Sequence, residues 1–174
     1  FMAVNFEISI ERSNTITDNG FDNVNFMIST NPGEPVRPLN KVASGGELSR
    51  IMLAIKSILA SEDEIDTLIF DEIDTGISGK TATMVAEKMA NISRHHQVIC
   101  ISHLSQIAAM ADNHYLIEKK LENNSTITNI KKLSGDESIE ELVRINGDGT
   151  VSEAAISHAK EMKEMAERTK SYLI

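Results

Sequence analysis

Two adjacent carboxylates, Asp71 and Glu72, close a short, mostly apolar run, Thr67-Leu68-Ile69-Phe70. Such a run, bounded by charge, predicts a buried strand of a parallel sheet. At the carboxyl end of that strand, side chains project into the crevice where α/β proteins bind ligands. Neighbouring carboxylates repel one another there and are costly to desolvate. Mg²⁺ relieves that cost, because it is hard, prefers oxygen and bridges to phosphates while retaining waters. The chemistry this predicts is phosphoryl transfer: Asp71 holds Mg²⁺ through water, and Glu72 positions or activates the attacking water. The plainer alternative is a strand followed by an acidic turn, and the pair alone does not choose between them.

Two further groups bear on that choice. Upstream, Ser44-Gly45-Gly46-Glu47 precedes Leu48, Ile51, Met52, Ile55, Ile58 and Leu59, which recur at helical spacing. A helix is therefore expected to begin near Glu47, with Ser44 as N-cap and Glu47 completing a capping box. A capped helix after a loop explains Ser44 and Glu47. It does not explain two glycines in the first turn, which they weaken. Contact between an anion and the exposed N–H groups of that end does. Downstream, His103 follows a second apolar run, Gln97-Val98-Ile99-Cys100-Ile101-Ser102. If the two runs are neighbouring strands, the imidazole can donate to a phosphate oxygen in the same crevice. Taken alone, a histidine after a strand is more often a helix cap or a solvated loop residue than a phosphate ligand.

The remaining segments supply the scaffold. Val4, Phe6, Ile8 and Ile10 alternate with polar residues, as do Val24, Phe26 and Ile28, with the turn signal Asp18-Asn19-Gly20 between them. Half-buried strands in a hairpin or short meander are predicted over residues 3–30. Pro32, Pro35 and Pro38 mark a loop leading to Ser44. Gly79-Lys80-Thr81 opens a helix running to about Ser93. Tyr115–Lys119 and Ile127–Leu133 read as strands around Asn123-Asn124. A final helix carries Ala155, Ala159, Met162 and Ala166 on one face, with Thr150 and Glu153 as its capping box.

Composition narrows the function classes. A chain of 174 residues is long enough for a single domain with a sizeable core, and its net charge of −9 argues against a dominant nucleic-acid surface. Any DNA contact would use a local patch. Cys100 is the sole cysteine and reads as a small buried hydrophobe, as suits a cytoplasmic protein. His95, His96, Cys100 and His103 straddle a strand without a zinc-ligand spacing. There is no signal-peptide pattern and no apolar run long enough to cross a bilayer.

In this order, Ser44-Gly45-Gly46-Glu47, Asp71-Glu72 with Asp74-Thr75-Gly76, and His103 resemble the signature, Walker B, D-loop and switch histidine of an ABC-type ATPase head. The flanking residues Lys41–Lys56, Ile69–Gly79, His103–Asp112 and Thr30–Pro35 are similar to the SMC-like branch, in particular to bacterial ATPases of DNA double-strand-break repair. The resemblance runs from about Asn5 to the last helix. Ala43 and Glu47 stand where transporters usually carry Leu and Gln, and Ser105 where many relatives have Pro. No Walker A loop is present in the sequence: for Gly79-Lys80-Thr81 to be one, a glycine would be needed at Asp74.

The resemblance implies an α/β fold, the C-terminal lobe of a P-loop ATPase head. Its mostly parallel sheet would be flanked by helices, with an N-terminal β-hairpin and a C-terminal helical region. A single domain is expected over 1–174: hairpin and proline loop 1–39, motif core 40–133, C-terminal helices 134–174. It further implies the cofactors ATP and Mg²⁺, with Asp71 the metal ligand and Glu72 and His103 catalytic. Ser44, Gly45, Gly46, Glu47, Asp74 and Gly76 would meet nucleotide held by a second head, Asp74 coupling the sites across the interface. The implied partners are the N-terminal Walker A lobe of the same protein, a second head in an ATP-dependent homodimer, and DNA with its repair proteins, but no membrane. The setting would be the bacterial cytoplasm, at the nucleoid, and this segment alone would be inactive. Two alternatives stand beside this one: an ATP-dependent clamp with little turnover, and a transporter ATPase subunit.

Overall fold

The computed structural model describes residues 4–30, 32–42, 44–60, 64–122, 125–147 and 151–173. They fall into two compact units, Phe1–Leu48 and Ser49–Ile174.

The first unit is built on an antiparallel hairpin, β1 (Asn5–Thr17) and β2 (Gly20–Ser29), in register from Asn5 opposite Ser29 to Arg12 opposite Asp22. Gly20 sits at φ 97°, a left-handed conformation that glycine adopts without a Cβ penalty, and this lets the chain reverse at the predicted turn. Phe6 and Phe26 stack with ring centroids 5.9 Å apart, and the Arg12 guanidinium lies 5.4 Å from the Phe21 ring centroid. The strands are not half-buried as their alternation predicts: Phe6, Ile8, Ile10, Val24 and Phe26 are exposed, while Ile28 is buried. Alternation identifies the apolar face but not what covers it. Arg37–Pro38 forms a short strand, β3, paired with Ile28 and Met27. Its shortness is consistent with a proline, which has no N–H to give to a ladder. A four-residue helix, α1 (Leu39–Val42), follows.

The division between the units falls within α2 (Gly45–Leu59). The predicted stripe on this helix is only partly used. Ile51 is buried, Ile58 is 81% exposed, and the main core contact is Leu53.

In the second unit, β4 (Thr67–Phe70) pairs in parallel with β5 (Gln97–Cys100), Thr67 opposite Gln97 and Phe70 opposite Cys100. The crossover between them holds α3 (Gly79–Ile92), and α4 (Ser105–Met110) follows β5. Leu53, Leu68, Phe70, Ile73, Val85, Met89, Ile92 and Ile107 form the core beneath this sheet. The strands are buried on one face only. Leu68 and Phe70 point into the core, whereas Ile69 and Ile99 are 68% and 44% exposed. The continuous apolar run predicts a strand buried on both faces, and here the second face is bare.

β6 (Tyr115–Glu122) and β7 (Ser125–Lys132) form an exposed antiparallel hairpin; the expected turn residues Asn123-Asn124 lie outside the described residues. A second core joins α4 to α5 (Gly135–Asn146) and α6 (Glu153–Tyr172) through Ala109, Leu142, Val143 and Ala159. The predicted face of α6 faces this region: Ala159 and Ala166 are buried, and Ala155 and Met162 pack on the cluster. Thr150 lies outside the described residues, and the observed cap of α6 is Ser152, which accepts from the Ala155 N–H.

Candidate active site

The start of α2 is a reciprocal capping box. The Ser44 N–H donates to Glu47 Oε2 at 3.0 Å, and the Glu47 N–H donates to Ser44 Oγ at 3.4 Å. Both side chains are thus committed to the helix end. A helix leaves its first N–H groups without intrahelical acceptors, and those of Gly45 and Gly46 fall in that first turn. Ser44 and Gly45 are exposed and Gly46 is buried.

The acidic turn begins where β4 ends. Asp71 and Glu72 are exposed, while the next two residues turn inward, Ile73 fully buried and Asp74 3% exposed. Among the described residues Glu72 is the one non-glycine residue with positive φ, at 56°. Such a conformation costs about 1–3 kcal/mol and persists only where the surroundings enforce it. Here the surroundings are explicit. Ser49 Oγ donates to the Asp71 carbonyl at 2.8 Å. Arg50 Nη1 donates to the carbonyls of Ile73 and Thr75 at 3.0 and 2.9 Å. The Thr75 N–H donates to the Glu72 carbonyl at 3.0 Å. Gly76, at φ 74°, releases the chain from the turn.

A second set of bonds joins this turn to the end of β5. Asp74 Oδ2 accepts from Ser102 Oγ at 2.7 Å and from the His103 N–H at 2.8 Å, and His103 Nδ1 lies 2.9 Å from it. The carboxylate is buried, but the His103 side chain is 75% exposed. Asp74 thus fixes which ring nitrogen of His103 is engaged inside the protein and leaves Nε2 for a ligand. Its carboxylate is engaged within the chain.

The nearby Cys100 thiol is pushed up to about 12, first by burial and then by the negative charges of Asp74 and Asp71. It is therefore a neutral thiol near neutral pH, unsuited to nucleophilic attack or to holding zinc as thiolate. Of the other histidines in that stretch, His96 is buried, with Nδ1 2.6 Å from the Ile65 carbonyl. No cluster of three or more acidic, His or Cys side chains able to enclose a metal occurs among the described residues. The donor set fits an ion that takes one carboxylate and fills its other positions with water and phosphate, as Mg²⁺ does.

Within the second unit, then, Asp71, Glu72, Asp74 and His103 come together at the carboxyl ends of two parallel strands. Ser44–Glu47 belongs to the first unit. Gly79-Lys80-Thr81 forms the first turn of α3, with Ser78 as N-cap. Sequence reasoning missed Ser49, Arg50 and Ser102. The first two sit on the helix beyond the motif, and nothing in their spacing announces that their partners are backbone carbonyls.

The architecture defines the class. The fold is similar to that of an Smc head domain: it matches a solved Smc head domain with coiled coil and joint from Pyrococcus yayanosii, with a TM-score of 0.57 and 20% sequence identity over 83% of this chain and 26% of that one. The sequence narrows it further. It is 49% identical over 156 residues to the DNA repair protein RecN of Bacillus subtilis, covering 90% of this chain and 27% of the relative. It is 47% identical over 163 residues to RecN of Halalkalibacterium halodurans, covering 94% and 29%, and 48% identical over 143 residues to RecN of Treponema pallidum, covering 82% and 25%. The chain belongs to the RecN family and spans between a quarter and a third of the length of these relatives. No protein-family model matches it.

Proposed function

We propose that this chain is the signature and catalytic lobe of an SMC-like ATPase that acts in DNA double-strand-break repair. The observation that carries this reading is the paired, exposed carboxylate turn Asp71-Glu72, held in a strained backbone just before Asp74, the residue that His103 contacts. Asp71 would hold Mg²⁺ through water, and Glu72 would orient and polarise the attacking water. His103, held through Nδ1 by Asp74, would present Nε2 to the γ-phosphate. Bound Mg²⁺ supplies charge neutralisation on the transferred phosphoryl group. Ser44, Gly45 and Gly46 would close on nucleotide carried by a second head, Glu47 keeping that helix end formed. Gly76, exposed beside the buried Asp74, would lie at the head–head contact.

The Walker A lobe of the same protein would cover the bare apolar face of the parallel strands, where Ile69 and Ile99 are exposed. DNA and repair proteins would be engaged by the whole protein, at the nucleoid in the cytoplasm. No helix among the described residues is long and apolar enough to cross a membrane.

The test is ATP hydrolysis by this chain joined to a RecN Walker A lobe, with and without Glu72→Gln. Removal of a positioned base lowers turnover by about 100-fold or more, while ATP-driven association of heads persists. Normal hydrolysis by Glu72→Gln would sink the role given to Glu72. ATP-driven association with no turnover in the parent would favour the clamp reading.

A further inference from the structure

Glu72 combines a left-handed backbone with a side chain that has to be aimed. Its own residue type does not favour that conformation, since asparagine, aspartate or glycine would be the usual occupants. The bonds that fix its flanks come largely from two consecutive residues of α2. Ser49 Oγ holds the carbonyl before Glu72, that of Asp71, at 2.8 Å. Arg50 holds the carbonyl after it, that of Ile73, at 3.0 Å, and with the same nitrogen the carbonyl of Thr75 at 2.9 Å. Ile73 is fully buried, which anchors the turn from below. A peptide unit gripped on both sides has little freedom to relax φ, so the direction of the Glu72 Cα–Cβ bond is set by α2.

We infer that Arg50, assisted by Ser49, is the positioning residue that holds the Glu72 carboxylate in its working orientation. Neither side chain needs to touch substrate for this. The guanidinium suits the task because its Nη1 amino group carries two N–H donors fixed in the guanidinium plane, so that two carbonyls can be held at a set spacing. This inference rests on the proposal that Glu72 polarises the attacking water.

The experiment uses full-length RecN protein carrying this sequence and compares Arg50→Met, Arg50→Lys, Ser49→Ala and Glu72→Gln. Misplacing a catalytic group by an ångström or so costs about 10- to 100-fold in rate, so kcat of Arg50→Met should fall by that factor. KM for ATP and ATP-driven association should stay near parental values, because the lost interaction acts on the chemical step, while the melting temperature falls modestly because two carbonyls lose their donor. Arg50→Lys should recover part of kcat, since an ammonium can still donate to one carbonyl. If Arg50→Met does not fold, Ser49→Ala carries the test, with a smaller fall in kcat at unchanged KM. Parental kcat in the folded variants, or a fall in kcat that only follows loss of folded protein, overturns the inference. Inactive Glu72→Gln beside fully active Arg50→Met would remove the positioning role and leave the proposed chemistry intact. Active Glu72→Gln would remove both.

Discussion

The chain builds the same helix cap twice and finishes it differently. At α2, Ser44 and Glu47 exchange side-chain and backbone bonds, and at α5, Ser134 and Glu137 do the same. The first turn of α5 also carries Asp136 and Glu137, and Lys131 pairs with Glu137. Two acids at a helix N-terminus complement its dipole from within the chain. The first turn of α2 has Glu47 alone, after two glycines. One helix end is thus satisfied internally. The other has a single acid and an exposed Gly45, at the cost of a weaker first turn. Structure alone needs the first arrangement, whereas binding an anion needs the second.

That contrast can be broken by experiment. The largest effect is expected from Gly45→Ala in the full-length protein. A methyl group there obstructs close approach of phosphate, and loss of a charge-assisted hydrogen bond of about 1.5–3 kcal/mol corresponds to about tenfold or more in turnover. The same change should raise melting stability slightly, by about 0.5 kcal/mol, because alanine loses less backbone freedom on folding. Lower stability with unchanged turnover would mean that the glycines serve the fold. Next come the paired variants Ser44→Ala and Ser134→Ala. Each should cost about 0.5–2 kcal/mol of stability by thermal or urea unfolding. Turnover per folded molecule should fall only for Ser44→Ala.

The smallest effect is electrostatic. The Lys131 hydrogen bond, followed by the bonds from Ser134, lowers Glu137 from its ordinary 4.5 to about 2. A carboxyl depressed on folding contributes stability above its unfolded value and loses it as pH falls through the folded one. The α5 cap should therefore weaken as pH drops from about 4.5 toward 2. Lys131→Met should raise the Glu137 midpoint in an NMR titration, and an unmoved midpoint would assign the shift to the cap alone.

The sequence was most legible where local chemistry decides. The Ser44–Glu47 box, the Asp18-Asn19-Gly20 turn and the extent of α3 follow from neighbouring residues. Ser134 and Glu137 have the same spacing as Ser44 and Glu47, so the α5 cap is readable in the sequence, as the Thr150 and Glu153 pattern is. Burial was less legible. An apolar alternation shows which face of β1 and β2 seeks cover, but whether cover exists depends on chain elsewhere. Periodicity on α2 favoured Ile58, which is exposed, over Leu53, which is buried. The least legible features were at the candidate site: the left-handed Glu72, the carbonyls gripped by Arg50, and the inward carboxylate of Asp74. Each depends on contacts between residues more than twenty positions apart, which no local pattern encodes.

The crossover from β4 to β5 offers a handle for instrumentation. Its near end is stitched shut by Asp74, Ser102 and His103, while its far end, after α3, presents Ser93, Arg94 and His95 to solvent at the opposite end of the strands. A four-residue strand spans about 13 Å. A dye or spin label attached at residue 94 or 95 would ride on the second unit without crowding the acidic turn, and so could report its movements in real time.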